Sequence, residues 1–583
     1  MRRSQSDLMS KGKVILGIHD GHNASVCVLV GGKVAYLVQE ERVRYEKNYW
    51  GFPSEAVKLA VKSLELSAKD IDRIAFSTIS GVPRRRDLKA TLYAFERLLK
   101  PAGLARMALI RLIGKLPYAR LKNNMQMRRA LLAECGISGG EVKAYGHHAC
   151  HAAAAYYAMR TDAESEHLVL TLDGAGERHC ATVSVASKGA LRRIAATTIP
   201  HSLGTIYAFV TFLMGFIPYD HEYKLMGMAP YYDARRAEEA ARIFHRYVGL
   251  RPDGLGFAKK TLLPMHMQGP SLLRAMRLQR FDAICAGLQK FTEDLMAQWA
   301  RNCVMHTGLG KVVCGGGVFM NVKANKRVME LPEVSHLGVL PSCGDESLSY
   351  GAAALAHAEL ADAAELEPWG PIYFGPDVDE PAARKLLEEK QCAFSRPEDL
   401  ELEIARLVHA GHPVARCRGR MEFGARALGN RSILADPSKV DSVRVINQMV
   451  KKRDFWMPFA PILLRERSDE YIRNPKNLPS PHMMLTFDSR ETFPEFLAAV
   501  HNADLTARAQ LLEERHNPDL HRCLKHFERL SGRGVMLNTS FNLHGYPICI
   551  GPREALHVFE NSGLEHLALG PYLVRKGRAN AHA

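Results

Sequence analysis

The sequence predicts an α/β protein of two domains, the first built on a duplicated strand unit. Three observations lead there. The chain has 583 residues, too many for one ordinary core. A pattern of apolar strand, acidic turn and glycine-bent hairpin occurs twice in the first 200 residues. A proline- and glycine-rich stretch, PWGPIYFGPDVDEP, then separates an alanine-rich helix from a second run of strands and helices, which sets a domain boundary near residue 366.

The elements follow in order. VILGIHDGHNASVCVLVGGKVAYLV, residues 14–38, reads as a strand, a polar turn HDGHN, a second strand, and a turn at Gly31-Gly32 into a third. Residues 168–198, LVLTLDGAGERHCATVSVASKGALRRIAATT, repeat the plan: a strand ending at Asp173-Gly174, then ATVSVA, then a turn at Lys188-Gly189 into a third strand. Two such units, each followed by helices, are how the actin/Hsp70/sugar-kinase superfamily (the ASKHA fold) is built around a nucleotide cleft. Strand–glycine–strand patterns are common in α/β proteins, so the repeat by itself leaves this open. KVVCGGGVFMN and PSCGDES add two strand-to-helix junctions bent at glycine. Junctions of this kind bring backbone amides and a helix N-terminus up to phosphate, which makes Gly316, Gly317 and Asn321 candidate nucleotide contacts. An alanine-rich helix is expected over residues 350–365.

Composition bounds the class. Apolar residues make up 47% and charged residues 24%, as in ordinary folded domains. No apolar run is long enough to span a bilayer. The start, MRRSQSDLMSKGK, has no apolar core of a secretory signal and reads as a lead-in, and GRANAHA reads as a tail. The twelve cysteines are scattered without a CxxC pair, which suits reduced thiols and a cytoplasmic protein. Net charge is +16, unevenly spread: residues 81–130 hold thirteen Lys or Arg against Asp87 and Glu96, an excess of +11. Apolar residues recur there at helical spacing. A solvated basic face is favoured over a docking surface for an anionic partner such as a membrane surface, an acidic carrier or nucleic acid.

The stretch AYGHHACHAAAAYY, residues 144–157, carries three histidines within five positions. On a helix His147 and His151 share a face, whereas His148 points about 100° away. HxxxH alone has many false positives, and the protease motif HExxH fails because His148 stands where Glu would be. If the pair binds a metal, carboxylates at strand ends complete the set, and Asp173 and Asp345 are the candidates. Two His and two Asp favour Fe(II), Mn(II) or Zn(II) over calcium.

At this point the chain resembles a known family. HNASVCVL, EERVRYEK, GHHACHAAAAYY, HSLGTIYAFVT, HEYKLMGMAPY, CGGGVFMN, CGDES, GRMEFGARALGNRSILADP, PFAPILL and LNTSFN occur in the order found in O-carbamoyltransferases of the nodulation, cephem and tobramycin type. The first part is also similar to the enzyme that installs threonylcarbamoyl on tRNA, and the second to the YrdC-like domain. The resemblance implies an actin-like metal-containing transfer domain over residues 14–365 and a YrdC-like domain over 366–575. It implies that carbamoyl phosphate and ATP, with Mg, give carbamoyl-adenylate in the second domain, and that an acceptor hydroxyl takes the carbamoyl group in the first. The native metal is expected to be Fe(II). A tRNA-modifying enzyme with the same adenylate chemistry is the alternative; no nucleic-acid partner is favoured.

The chemistry fits the residue types. Carbamoyl phosphate is a dianion, and arginine binds phosphate bidentately. RCRGRMEFGARALGNRSIL supplies Arg416, Arg418, Arg420, Arg426 and Arg431; KKRD adds Lys451, Lys452 and Arg453, and LTARAQ adds Arg508. Arg426, among Gly and Ala neighbours too apolar for a free surface, is the candidate catalytic arginine, with Lys451. The resemblance assigns Asn538 and Ser540 to ligand binding, His22 to the transfer step as base and Lys47 to the adenylate phosphate. The family often has Arg before PFAP, where this chain has Met457, and Arg-Gly-Glu-Pro after NTSFN, where it has LHGYP with His544 and Tyr546. Arg453 and His544 are the expected stand-ins.

Overall fold

The computed structural model describes residues 12–80, 85–100, 117–451 and 453–576. The lead-in, the tail, Lys452 and the central part of the basic segment lie outside these residues. The chain divides into two compact units: residues up to Glu40 together with Asn48–Trp369, and Glu41–Lys47 together with Gly370 onward.

The first unit contains two five-stranded sheets of the same plan. In one, β1 (Val14–His19), β2 (Ser25–Val30), β3 (Lys33–Gln39), β4 (Arg73–Phe76) and β5 (Glu141–Ala144) take the order β3-β2-β1-β4-β5. In the other, β6 (His167–Gly176), β7 (His179–Ser187), β8 (Ala190–Thr198), β11 (Lys311–Gly315) and β12 (His336–Val339) take the order β12-β11-β6-β7-β8; a small hairpin of β9 (Val248–Leu250) and β10 (Phe257–Lys259) lies between them in the chain. In each sheet the first three strands form an antiparallel meander and the last two run parallel to the first. β1 is buried at every position, which is why its sequence is a continuous apolar run rather than an alternating one.

The alanine runs are explained by close helix packing. Helix α1 (His147–Met159) and helix α2 (Leu348–Leu360) are almost wholly buried. A Cβ at Gly351 would stand 2.0 Å from the Cys150 carbonyl oxygen, and one at Gly17 would stand 2.0 Å from that of Ser349. Only glycine and alanine let α2 lie this close to both α1 and β1. The second helix ends at Leu360, five residues before the helix end expected at 365, and the chain re-forms a single 3₁₀ turn at Ala363–Glu365 capped by Asp362.

The second unit is built on an eight-stranded mixed sheet. Its strands are β13 (Ala393–Ser395), β14 (Val414–Cys417), β15 (Arg431–Ala435), β16 (Ala460–Leu464), β20 (Gln510–Leu512), β21 (Val535–Ser540), β22 (His566–Leu569) and β23 (Tyr572–Arg575), in the order β13-β23-β22-β14-β15-β21-β16-β20. A three-stranded sheet, β17 (Ile472–Arg473), β18 (Phe487–Ser489) and β19 (Thr506–Ala507), accompanies it. Both faces are covered. Ala415, Cys417, Ile433, Leu537 and Leu567 join one core, and Val414, Leu434, Met536 and Ala568 join the other, as the period-2 alternation of a strand requires. Seven residues from far upstream belong to this unit: Arg42 Nη2 donates to the Gly424 carbonyl at 2.7 Å, and the Tyr45 ring stacks on Tyr546 at 5.3 Å.

Candidate active site

In the first unit, the later part of β6, the 3₁₀ turn Asp345–Ser347 that follows β12, and the start of α1 bring four side chains together. One ligand atom from each of His147, His151, Asp173 and Asp345 lies within 4.8 Å of the others. His147 Nε2 stands 3.4 Å from Asp173 Oδ2 and 3.6 Å from Asp345 Oδ1, and His151 Nε2 stands 3.5 Å from the latter. Both Nε2 atoms are buried without a hydrogen-bond partner, a costly state for a polar atom unless a ligand satisfies it. Gly317 N–H donates to Asp173 Oδ1 at 3.2 Å and fixes that carboxylate. His148 turns the other way, into a chain of buried groups: its Nδ1 lies 2.8 Å from Thr171 Oγ1, which lies 2.6 Å from Thr182 Oγ1. The donor set and the orphaned imidazole nitrogens fit a divalent cation.

Electrostatics agree with that fit. Burial pushes His151 down to about 4, so its imidazole is neutral and free to donate a lone pair. Burial penalises charge on Asp173, but His147 and His151 outweigh it and hold that carboxyl below the usual range. Asp345 is pushed up to about 7, first by burial and further by Asp173, against the pull of His147. Two carboxyl groups held this close cannot readily both carry charge unless a cation offsets it.

Sequence reasoning missed the groups around this cluster. His19 is fully buried; its Nδ1 meets Ser77 Oγ at 2.8 Å and its Nε2 lies 2.9 Å from the His22 carbonyl oxygen and 3.9 Å from Asp345 Oδ2. Burial and His147 keep it neutral, well below the usual histidine range. Its position two residues before Gly21, at the end of β1, was the available signal. The neighbouring Asp20 is the first-half counterpart of a strand-end acid, but Arg128 takes both its oxygens, at 2.6 and 2.8 Å. Glu177 accepts from the N–H groups of Ile79 at 2.5 Å and His147 at 3.4 Å. The His22 ring sits beside Trp50, at 5.3 Å, and Tyr219, at 5.8 Å.

A glycine guards this geometry. A Cβ at Gly176 would stand 2.1 Å from His147 Cδ2, so Gly176→Ala is expected to push the imidazole aside and weaken metal binding by about tenfold or more. Metal content of the purified variant checks this. Full retention in a normally folded variant would show that His147 is not a ligand.

Of the nucleotide candidates in this unit, Gly316 and Gly317 form the bend after β11, and Gly316 has a left-handed φ of 98°. Asn321 is employed otherwise: its Oδ1 accepts from Ala324 N–H at 3.0 Å as a helix cap, and its amide pairs with Gln289 at 2.9 Å.

The second unit gathers the remaining candidates. Arg426, Arg453 and Arg508 lie close enough to depress the Arg508 guanidinium: burial comes first, then its two arginine neighbours. Among the described residues Arg508 makes no hydrogen bond or ion pair, and its Nε is buried. Arg453 donates to Thr539 Oγ1 at 3.0 Å and lies 5.0 Å over the Phe459 ring. Lys451 is buried; its Nζ donates to Asn542 Oδ1 at 2.6 Å and Ser540 Oγ at 3.1 Å. Burial, then Arg453, lowers its affinity for a proton well below the usual lysine range, and Lys47 contributes to the same field. Lys47, assigned from its place in the chain to the first domain, thus clusters with the second unit. Asn542, unremarked in the sequence, is the group that aims Lys451.

Apart from Arg426, the arginines of the segment 416–431 are engaged within the fold. Arg416 is spent on the Gly429 carbonyl and Asn430 Oδ1, and pairs with buried Glu401 at 3.4 Å. Arg418 pairs with Glu401 and Asp519, and Arg431 donates to a ring of backbone carbonyls including Ile550 and Gly419. Arg420, expected to contact ligand, donates to the carbonyls of Phe374 and Gly375. Asn538 donates to the Ala427 carbonyl at 2.8 Å, holding the loop that carries Arg426. Glu422 shapes the same loop, since its Oε1 accepts from the N–H groups of Leu428, Asn430 and Arg431. Tyr546, at the departure from the family pattern, packs on Tyr45; nothing in the structure explains Met457 or His544.

Two sheets of identical strand order with helices packed on them define a duplicated α/β protein of the actin/Hsp70/sugar-kinase class, here with a His₂Asp₂ cluster in its first unit. Residues 14–354 match the family model described as carbamoyltransferase N-terminus, and residues 405–576 match carbamoyltransferase C-terminus. The chain belongs to the carbamoyltransferase family and is a transferase enzyme. An uncharacterized protein of Methanocaldococcus jannaschii is 29% identical over 577 residues, covering 97% of this chain and 100% of the relative. Nodulation protein NolNO of Sinorhizobium fredii is 28% identical over 576 residues, 96% of this chain and 80% of the relative. Nodulation protein NolO of Bradyrhizobium diazoefficiens is 31% identical over 448 residues, 74% and 79% of the two chains. Among solved structures, full-length HypF in its phosphate- and nucleotide-bound form aligns at 14% identity and a TM-score of 0.30, covering 60% of this chain and 56% of that one. The fold assignment rests on the strand order rather than on that alignment. Among the described residues no helix is long and apolar enough to cross a membrane.

Proposed function

We propose that the protein is an ATP-dependent O-carbamoyltransferase working in two steps. Carbamoyl phosphate, ATP and water give carbamoyl-adenylate, phosphate and pyrophosphate on the second unit, which we read as YrdC-like, with Mg accompanying ATP. An acceptor hydroxyl then attacks the carbamoyl carbon on the first unit, and AMP leaves. The acceptor is a hydroxyl-bearing natural product or saccharide. The observation that carries this reading is the pairing, in one family member, of a cationic Arg426/Arg453/Arg508/Lys451 cluster with a separate His₂Asp₂ cluster. Guanidinium groups crowded this closely suit phosphate dianions. Lys451, held by Asn542 and Ser540, is aimed at the same charge.

In the transfer step the residues of this chain have three tasks. His147, His151, Asp173 and Asp345 would hold a divalent ion, Fe(II) with Mn(II) or Zn(II) as alternatives, which supplies positive charge for the departing AMP. His22, beside Trp50 and Tyr219, would take the acceptor proton. Gly316 and Gly317, without side chains, would let phosphate approach the backbone at the bend after β11, where their own N–H groups are taken by the Cys343 carbonyl and Asp173 Oδ1. The twelve cysteines are free thiols, in keeping with a reducing cytoplasm.

The deciding experiment supplies carbamoyl phosphate and ATP and follows pyrophosphate release and carbamoyl-adenylate by mass spectrometry, then screens alcohols for a carbamoyl mass gain. Pyrophosphate release without either carbamoylated species would sink the reading. A simpler measurement addresses the cationic cluster. Pyrophosphate at about a hundred times its Kd is expected to raise the Tm by roughly 5 °C, and Arg508→Ala is expected to abolish that rise. An unchanged rise in the variant would place the anion elsewhere.

A further inference from the structure

The hairpin and helix after β10 carry a feature that catalysis leaves unused. Residues 254–281 contain Lys259, Lys260, Arg274, Arg277 and Arg280 and no acidic residue. Leu262 is 97% exposed, Leu278 is 95% exposed, and Leu263 and Leu273 are about half exposed. Exposed leucines scattered singly need no explanation, but these share one short segment. Leu278 also adopts a left-handed φ of 66°, a conformation that a branched side chain rarely takes. A residue held in that state with its side chain wholly in water gains nothing within the fold.

The arrangement is built. Helix Gly269–Met276 buries Leu272 and Met276 on its inner side, leaving Leu273, Arg274 and Arg277 facing out. Gln268 Nε2 donates to Thr261 Oγ1 and to the Leu263 carbonyl, both at 2.9 Å, and Lys259 Nζ donates to the Leu262 carbonyl at 2.8 Å. These bonds hold the leucine loop against the helix start. Arg280 pairs with Asp282; Lys260, Arg274 and Arg277 have no acidic partner among the described residues. The basic segment noted in the sequence joins here, because Leu99 packs where a Gly269 Cβ would stand 2.9 Å away. The helix before it exposes Leu88 and Tyr93 beside Lys89.

We propose that this leucine-tipped basic face docks the enzyme on an anionic lipid bilayer, with Leu262 and Leu278 entering the acyl boundary and Lys260, Arg274 and Arg277 meeting headgroup phosphates. Protruding aliphatic tips flanked by unpaired cations match the interface of a membrane, apolar below and anionic above. The full chain is sedimented with vesicles of phosphatidylcholine alone and with vesicles containing about a third phosphatidylglycerol. Expected is binding to the second and not the first, released as salt rises from about 50 to about 300 mM. Leu262→Ser with Leu278→Ser is expected to lower partitioning about 30-fold, and Arg274→Gln with Arg277→Gln about tenfold. Tm and pyrophosphate release should be unchanged in both, since these side chains are exposed and remote from packing. Equal binding to neutral vesicles, equal binding by the variants, or no binding at all overturns the proposal. So does a wild-type dimer that the leucine variant converts to monomer, which would assign the face to a second copy.

Discussion

His147→Ala and His151→Ala are each expected to lose the bound metal and transfer to an acceptor together, while carbamoyl-adenylate still forms; His148→Ala is expected to keep its metal. The first two side chains aim Nε2 atoms at Asp173 and Asp345 across 3.4–3.6 Å, whereas His148 bonds to Thr171. Removing one of four ligands should cost more than the ~10–100-fold typical of losing an outer-shell partner. Removing His148 strands the Thr171 hydroxyl less completely, because Thr182 remains its partner, and should cost about 1–3 kcal/mol of stability. The pH dependence has a definite sign. In the metal-free protein Asp345 holds a proton up to about pH 7, and the metal must displace it. Affinity should therefore fall about tenfold per pH unit below 7, with one proton released per ion bound. Metal analysis of the three variants, with titration calorimetry in buffers of different ionisation enthalpy, checks both parts. A metal-free His148 variant beside a metal-loaded His147 variant would overturn the assignment.

The two halves of the first unit were legible because the leading strand of each, VILGI and LVLTL, is an apolar run that gives way to an acid and glycine, and a run of that kind is decided locally. His147, His151, Asp173 and Asp345 were legible for a related reason: helix geometry settles which of three histidines share a face, and strand ends settle where acids point. What escaped was set by contacts between distant residues. Nothing near Arg416 in the chain says that Glu401 will pair with it, nor that Asp519 will take Arg418. Five arginines in sixteen residues therefore looked alike, and only Arg426 stayed with the cluster. The segment 41–47 follows β3 directly, yet the Arg42 bond to Gly424 draws it into the second unit. The alanines of α1 were plainly helical, but their reason, the 2.0 Å approach at Gly351, needed α2 in place.

Arg426→Ala is expected to reduce carbamoyl-adenylate formation by about 10²–10³-fold while leaving transfer from preformed carbamoyl-adenylate intact. The guanidinium is carried by a loop that Glu422 and Asn538 hold rigid, so the loss is of charge and bidentate contact rather than of structure. The cluster also makes a counter-intuitive prediction about stability. Arg508 is disfavoured as a cation by burial and by Arg426 and Arg453, which means that the three charges repel in the absence of an anion. Truncating Arg426 relieves part of that repulsion. The ligand-free variant should melt no lower than the parent, and the stabilisation by pyrophosphate should shrink, because the parent gains from the anion both contact and relief. A variant that loses activity through misfolding would instead melt lower with and without the anion. Loss of transfer from preformed carbamoyl-adenylate, with its synthesis intact, would place the two half-reactions on the opposite units.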